Sequence, residues 1–161
     1  MSWGLYRNLQ ASLKDFLVAQ AVTDSLVDIN DESVTFRIGK SNSDWELTTV
    51  GMYFESETAE RFELGSNNRD DKQLVIIDIY AKNEADRLDI SKWLVDSINN
   101  GWRYYTFTGN AVTPDSPTKV AGGLVNVNFL SNAPVSLGNS TIEFEAHRHQ
   151  ITINVWITGS W

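Results

Sequence analysis

The chain lacks cysteine altogether and has only three prolines among its 161 residues. Without cysteine, disulfide bonds and thiol chemistry are excluded. A domain of this length buries roughly 70% of its unfolded surface and needs no such cross-links. No apolar run approaches the ~20 residues of a membrane-spanning helix, and the N-terminal residues do not follow the basic-then-apolar order of a secretory signal. We therefore expect a soluble protein that is made in the cytoplasm and has no membrane partner.

Basic residues are also few. The chain has 13 lysines and arginines against 21 aspartates and glutamates, which gives a net charge of -8. The bases are scattered singly along the sequence instead of forming a stripe, and this disfavours tight binding to phosphate backbones. An acidic surface still suits a channel through which DNA passes without sticking.

Motifs of enzymes are missing, because the sequence has no glycine-rich phosphate loop, no nucleophile elbow and no paired cysteines. The best metal candidate is the alternating set Glu143, Glu145, His147 and His149, which one strand would place on one face. We interpret these four residues as the solvated face of that strand, because the apolar alternation changes phase among them. The sequence thus predicts a protein that is not an enzyme, with no catalytic residue, metal or cofactor.

One carboxylate, Asp78, lies inside the most apolar segment of the chain. It is either an acid or base with a shifted pKa, or a residue that points into a channel or pairs with an arginine across an interface. We favour the second interpretation. Arg69, Arg103 and Arg148 are possible partners, and the sequence does not choose among them.

Six tryptophans raise the alternative of a carbohydrate-binding β-rich domain, because flat indole rings stack on sugar rings. They are dispersed over different predicted elements, however. This spread favours a mixture of core and subunit-contact roles.

The clearest structural signal is the run of apolar residues at 74–80, followed at once by a helix. Neither face of this strand is polar, which predicts a strand covered on both sides. Asn83 has the character of an N-cap, with Glu84 and Asp86 in the first helical turn and Gly101 beyond the last.

The rest of the chain predicts one further helix and several strands. Leucine and phenylalanine recur at helical spacing over residues 3–20. Strands are expected near 34–38, 45–55, 61–64, 102–108, 124–130 and 141–158, the last with a bulge or bend near residues 147–150 where its alternation changes phase. Residues 66–72 and 109–119 are expected to be loops, and residues 132–139 a turn. The sequence predicts one α+β domain over residues 1–161, with a mixed or antiparallel sheet and two main helices packed on it.

The order of these elements, the segment 78–86 and the final strand 147–156 resemble tail-terminator proteins of siphophages, also called tail-to-head joining or tail-completion proteins. The resemblance covers most of the chain in element order. It implies a structural virion protein, assembled in the host cytoplasm as a ring that is commonly a homohexamer. Such a ring caps the polymerised tail tube and provides the docking surface for the head connector.

The resemblance implies four kinds of neighbour: other copies of the chain, the tail tube protein, a head-completion or connector protein, and DNA that passes through the lumen without specific binding. A head-completion or neck protein of the connector is the alternative within virion assembly. We expect the two polar loops to supply subunit or ring contacts. The candidate contact residues are Asn67, Arg69, Asp70, Asp71, Pro114, Asp115, Pro117 and Lys119.

Overall fold

A computed structural model describes residues 4–28, 30–39, 45–61, 69–108, 118–135 and 147–159. The elements in chain order are α1 (Leu5–Thr23), β1 (Thr35–Ile38), β2 (Thr49–Arg61), β3 (Arg69–Ala81), α2 (Glu84–Ile98), β4 (Trp102–Thr108), β5 (Thr118–Pro134) and β6 (His147–Thr158).

The strands form one sheet of six in the order β1-β2-β3-β6-β5-β4. β1 runs parallel to β2, and every other neighbouring pair is antiparallel. The fold is therefore α+β with a mixed sheet and two helices, as the sequence predicts.

Both helices pack on the same face of the sheet, and one continuous apolar core lies between the two layers. The helices contribute Leu9, Leu13, Leu17, Ile90, Leu94 and Ile98 to this core, and the central strands contribute Val50, Met52, Val75, Ile77, Ile79, Ile151, Ile153 and Val155. Most of these side chains are completely buried. Each one stabilises the fold by roughly 1.5–3 kcal/mol, so this core is the main source of stability.

Strand β3 is buried on both faces, which confirms the interpretation of its apolar run. Every residue from Val75 to Ala81 is buried. The odd-numbered residues lie under the helices, whereas Ile76, Asp78 and Tyr80 lie on the opposite face, which we call the open face because neither helix covers it. β3 is thus a central strand of the sheet, with a neighbouring strand on each side and buried residues on each face.

The predicted caps of α2 are present. The side chain of Asn83 accepts a hydrogen bond of 2.9 Å from the backbone N–H of Asp86, and Glu84 and Asp86 lie in the first turn. Beyond the helix, Gly101 has φ = +75°, and a Cβ atom there would come within 2.0 Å of the Val125 carbonyl oxygen. Only glycine fits this turn.

Helix α1 covers the outer edge of β4 with polar side chains. The Ser12 hydroxyl accepts a hydrogen bond from the Tyr105 N–H (2.9 Å) and donates one to the Tyr105 carbonyl (3.3 Å), and Asn8 Oδ1 accepts one from the Phe107 N–H (3.1 Å). Asn8 and Ser12 are both buried. These two residues, one helical turn apart, replace the neighbouring strand that an edge strand lacks.

Several predicted boundaries were wrong. β2 begins at Thr49, four residues later than expected, and runs unbroken to Arg61, whereas residues 62–64 lie outside the described part of the chain. Residues 69–72 belong to β3 and not to a loop, and β5 continues to Pro134, into the first residues of the expected turn. In these two strands backbone pairing with a neighbouring strand continues through polar residues, because the hydrogen bonds of a ladder do not depend on side-chain polarity.

The bulge or bend predicted near residues 147–150 is not seen within β6. β6 begins at His147 and pairs with β3 without a register shift as far as Val155. The irregularity lies instead on β5, between Phe129 and Ser131. Residues 141–146, which carry the other phase of the alternation, are not among the described residues.

The α1–β4 contact gives a stability prediction. Asn8→Ala should lower the free energy of unfolding by about 1–3 kcal/mol, because the buried N–H of Phe107 loses its acceptor. Gln10→Ala, on the same helix and only half-buried, should change it by less than about 0.5 kcal/mol. Urea unfolding of the three proteins measures both values, and equal effects of the two substitutions would contradict the role of Asn8.

Candidate subunit-contact surfaces

The predicted contact residues divide into three groups. Arg69, Asp70 and Asp71 lie on β3 and not in a loop. Lys119 likewise lies on β5, one residue after its start. The remaining four, Asn67, Pro114, Asp115 and Pro117, are not among the residues that the structure describes.

Lys119 makes an intramolecular contact. Its Nζ lies 2.7 Å from Asp15 Oδ2 and 4.6 Å from the centroid of the Tyr105 ring. The hydrogen bond to Asp15 raises the pKa of Lys119 above its ordinary value, against the opposing effect of desolvation. Lys119 thus links α1 to the β4–β5 pair, and a role in contacts with another subunit stays a prediction.

Arg69, Asp70 and Asp71 belong to a two-stranded extension that we call the arm, residues 58–61 of β2 paired with residues 69–72 of β3. β6 pairs with β3 only from Gln73 onward. β6 continues to Thr158 in its pairing with β5, so the arm separates from β6 at this point. In the described ranges no third strand joins it. An isolated two-stranded ribbon is marginally stable in water, and a neighbouring molecule would stabilise it.

Asp78 pairs with Arg148 within the same subunit, and not across an interface as the sequence indicated. Arg148 Nη2 lies 3.0 Å from Asp78 Oδ2, and Nε lies 3.2 Å from Oδ1. Gln150 donates a further hydrogen bond of 3.2 Å to Oδ1. Asp78 is only 3% exposed. The three donors compensate the loss of hydration around this carboxylate.

Aromatic residues cover this ion pair on the open face. The rings of Trp45 and Tyr80 meet edge to face with centroids 6.2 Å apart, and the Arg148 guanidinium lies 5.4 Å from the Tyr80 centroid. Trp45 lies against the backbone of Gly51, where a Cβ atom would come within 2.6 Å of the indole ring. Of the four described tryptophans, Trp45 and Trp102 are buried, and Trp93 and Trp156 are partly buried.

His149 is buried, which corrects its assignment to a solvated face. It is 5% exposed, on the same face of β6 as Ile151 and Ile153. It lies on the same face of the strand as the core residues that follow it, whereas the sequence pattern placed it on the face of the polar residues that precede it. This is the one clear error in the interpretation of the candidate metal residues.

Two neighbours determine the protonation of His149. Arg87 Nη1 lies 2.7 Å from Nδ1, and Asn132 Oδ1 contacts Nε2. Because arginine only donates, Nδ1 accepts and the ring proton lies on Nε2, where it is donated to Asn132. Burial, and then the charge of Arg87, lower the pKa of His149, while Glu84 has a smaller opposite effect.

Glu84 joins this group to His147. It forms an ion pair with Arg87, and its Oε2 lies 3.7 Å from His147 Nδ1. Within the described ranges, no group of three His, Asp or Glu side chains is arranged to hold a metal ion. Glu143 and Glu145 lie outside those ranges.

A second ion-pair group fixes the segment between α1 and β1. Asp28 Oδ1 accepts hydrogen bonds from the N–H groups of Asn30 (2.8 Å) and Glu32 (3.0 Å), and Lys82 Nζ lies 3.1 Å from Oδ2. Burial raises the pKa of Asp28, but these three donors together hold it below its ordinary value. The group joins the loop after α1 to the end of β3.

In the part of the chain that the structure describes, neither helix has the length and hydropathy to cross a membrane. No protein-family model matches the chain, and no curated protein matches it either.

The Asp78–Arg148 pair gives a second stability prediction. Arg148→Met should lower the free energy of unfolding by about 3–5 kcal/mol, because it leaves a buried carboxylate without its cation. The double variant Asp78→Leu/Arg148→Met should be more stable than Arg148→Met alone. Arg103→Met, at an exposed arginine, should cost less than about 0.5 kcal/mol. Chemical denaturation tests the order, and a double variant less stable than the single one would contradict it.

His149 gives a pH prediction. Its pKa is lower in the folded state than the value of about 6.5 expected in the unfolded chain, so the unfolded state binds more protons as the pH falls. Its contribution to stability is therefore complete above about pH 6.5 and is lost as the pH falls through the folded pKa. The melting temperature should decrease from pH 7.5 to 5.5, and His149→Gln should decrease less steeply than the wild type.

His147→Gln is the matched control, because these are the only two histidines in the chain. Its slope, set beside that of His149→Gln, shows which histidine carries the pH dependence. If His147→Gln flattened the pH dependence and His149→Gln did not, the assignment of the titrating group to His149 would be wrong.

Proposed function

We propose that the chain is a structural virion protein that caps the polymerised tail tube of a siphophage as a ring and provides the docking surface for the head connector. The observation that carries this proposal is the arm. It is a two-stranded ribbon with which no third strand of the described residues pairs, and a ribbon of this kind is suited to contacts with a neighbouring subunit or ring.

The two segments that resemble tail terminators are in direct contact, which supports treating the resemblance as one feature. The end of β3 and the start of α2 supply Asp78 and Glu84, and the start of β6 supplies His147 and Arg148. Their contacts are the Asp78–Arg148 pair and the Glu84–His147 contact. The two resembling segments are therefore neighbours in the fold.

Charge supports the passage of DNA through the ring. Many of the described bases already pair with carboxylates of the same chain: Lys82 with Asp28 and Glu32, Arg87 with Glu84, Lys92 with Asp96, Lys119 with Asp15, and Arg148 with Asp78. Bases neutralised in this way, in a chain of net charge -8, offer little to a phosphate backbone.

The fold has two different sides, as a cap requires. A growing tube presents the same face after each added ring, and growth stops when a subunit matches that face on one side only. The helix-covered face and the open face of the sheet differ in shape and chemistry. The arm belongs to the same sheet and gives this two-sided subunit a third element for contact.

The proposal predicts the phenotype of a phage that lacks the chain. Its heads should fill with DNA, and its tails should remain unjoined, some of them longer than normal, because nothing ends tube growth. Electron microscopy of lysates measures tail length and the fraction of joined particles. Supplying the wild-type chain from a plasmid should restore both.

An arm variant makes this test specific. Asp70→Lys/Asp71→Lys should fold but fail to restore joined particles, whereas Lys92→Glu, at an exposed site on α2, should restore them. Tails of normal length joined to heads in the absence of the chain would exclude the terminator role and indicate a neck or accessory protein.

A further inference from the structure

A buried histidine joins helix α2 to two strands of the sheet. His149 of β6 is 5% exposed. Its Nδ1 atom lies 2.7 Å from Nη1 of Arg87 on α2, and its Nε2 atom contacts Oδ1 of Asn132 on β5. The ring therefore connects three elements that are distant in sequence. We call this group, Arg87, His149 and Asn132, the histidine link.

The histidine link requires a neutral ring. Arginine has N–H donors and no acceptor, so Nδ1 of His149 accepts from Arg87 and the ring proton lies on Nε2. Protonation would add a second proton at Nδ1, and two donors would then face each other at 2.7 Å. Two positive charges would also meet in a site where burial weakens screening by water. Asn132 Oδ1 accepts from Nε2 in either state, so the conflict is with Arg87 alone.

Arg87 is bound to Glu84 within the first turn of α2. Arg87 Nε donates a hydrogen bond of 3.1 Å to Glu84 Oε2, and Nη2 pairs with Oε1. The Arg87 side chain is 9% exposed, whereas that of Glu84 is 60% exposed. This ion pair is internal to the helix, so it can move toward solvent with the first turn and keep its own contacts. Such a movement removes Arg87 from His149.

The charges around the ring come mainly from α2. Burial lowers the pKa of His149, Arg87 lowers it further, and Glu84 opposes them with a smaller effect. The remaining surroundings, as far as the described residues show them, are His147 of β6 beside Glu84, the uncharged Asn132 of β5, Ile79 of β3 paired with His149, Lys82 held by Asp28 and Glu32, and the Asp78–Arg148 pair on the open face. The ring therefore gains its second proton below the pH of about 6.5 that an unfolded histidine would require.

We propose that the histidine link is a pH-sensitive switch, in which protonation of His149 separates Arg87 from the ring and releases the first turn of α2 from the sheet. The switch is closed near neutral pH and opens in mildly acidic solution. Ile90, Leu94 and Ile98 keep the rest of α2 packed in the core, so the opening is local and precedes global unfolding. This switch does not depend on the proposed function.

Two magnetic resonance measurements on the wild-type chain test the switch. The ring ¹⁵N shifts of His149 should show the proton on Nε2 at pH 7.5 and a doubly protonated ring in mildly acidic solution. Exchange of backbone amides, corrected for the intrinsic effect of pH, measures the opening. The amides of Asp86 and Arg87, which bond to the Asn83 cap, should lose protection about fivefold or more as His149 titrates, because a helical turn without tertiary contacts frays. The amide of Ile77 in β3 should not.

Two variants separate the switch from a general effect of acid. Arg87→Met removes the opposing donor, so the exchange of the first turn should no longer depend on pH. Arg103→Met, at an exposed arginine of β4, is the matched control and should behave as the wild type does. Asn132→Asp, also at an exposed position, places a carboxylate at Nε2 and leaves Arg87 unchanged. It should raise the pH midpoint of the opening by about one unit, and it decides the test where Arg87→Met does not fold.

Four results would overturn the proposal: a ring proton on Nδ1 at pH 7.5, titration of His149 without a change of exchange in the first turn of α2, titration only together with global unfolding, or an opening whose midpoint Asn132→Asp leaves in place. A folded Arg87→Met protein with the pH dependence of the wild type would do so as well. None of these results bears on the proposed function, which is decided by the tails of the mutant phage.

Discussion

Burial of β3 on both faces is the constraint on which the rest of the structure depends. Its residues from Val75 to Ala81 are all buried, so each face of the sheet needs a covering layer at this strand. On one face the helices supply it. On the other, the rings of Trp45 and Tyr80 and the guanidinium of Arg148 lie together. Asp78 is tolerated at the centre only because Arg148 and Gln150 satisfy its carboxylate.

The two edge strands of the sheet, β4 and β1, differ in whether polar side chains bond to their outer backbone groups. This difference affects which surfaces are available for assembly. Asn8 and Ser12 of α1 satisfy the outer backbone groups of β4. No equivalent polar side chain reaches Phe36 or Ile38 on β1 within the described residues. An edge that is capped internally does not recruit another strand, whereas an open edge does. Among the described residues, side chains of α1 therefore close the β4 edge of the sheet.

Local sequence signals correctly predicted the fold class, the buried central strand β3 and the caps of α2. The apolar run of β3 and the cap residues Asn83 and Gly101 act within a few residues, so the sequence shows them directly. Contacts between distant segments were not predictable in this way. The polar residues Asn8 and Ser12 resemble solvent-facing helix positions, and their partners lie more than 90 residues away. The choice of Arg148 as the partner of Asp78 likewise depends on which strands become neighbours.

The loops expected to carry the candidate contact residues were predicted least well, for a physical reason. Side chains that serve as subunit contacts carry no fixed spacing or chemistry, unlike metal ligands or catalytic groups. Loop assignment was the only available guide, and it failed at Arg69, Asp70, Asp71 and Lys119 because strand pairing continues through polar residues. His149 was misassigned because alternation fixes the face of a strand only when the start of that strand is known.

The central claim is that the chain forms the terminal ring between tail tube and head connector. Cryo-electron microscopy of purified particles of the phage that encodes it tests this most directly. The account predicts a single closed ring at the head-proximal end of the tail, with density that fits six-stranded α+β subunits and with arms that contact adjacent subunits or the neighbouring ring. Density for this chain repeated along the tube, located in the capsid shell, or missing from the particle would contradict it.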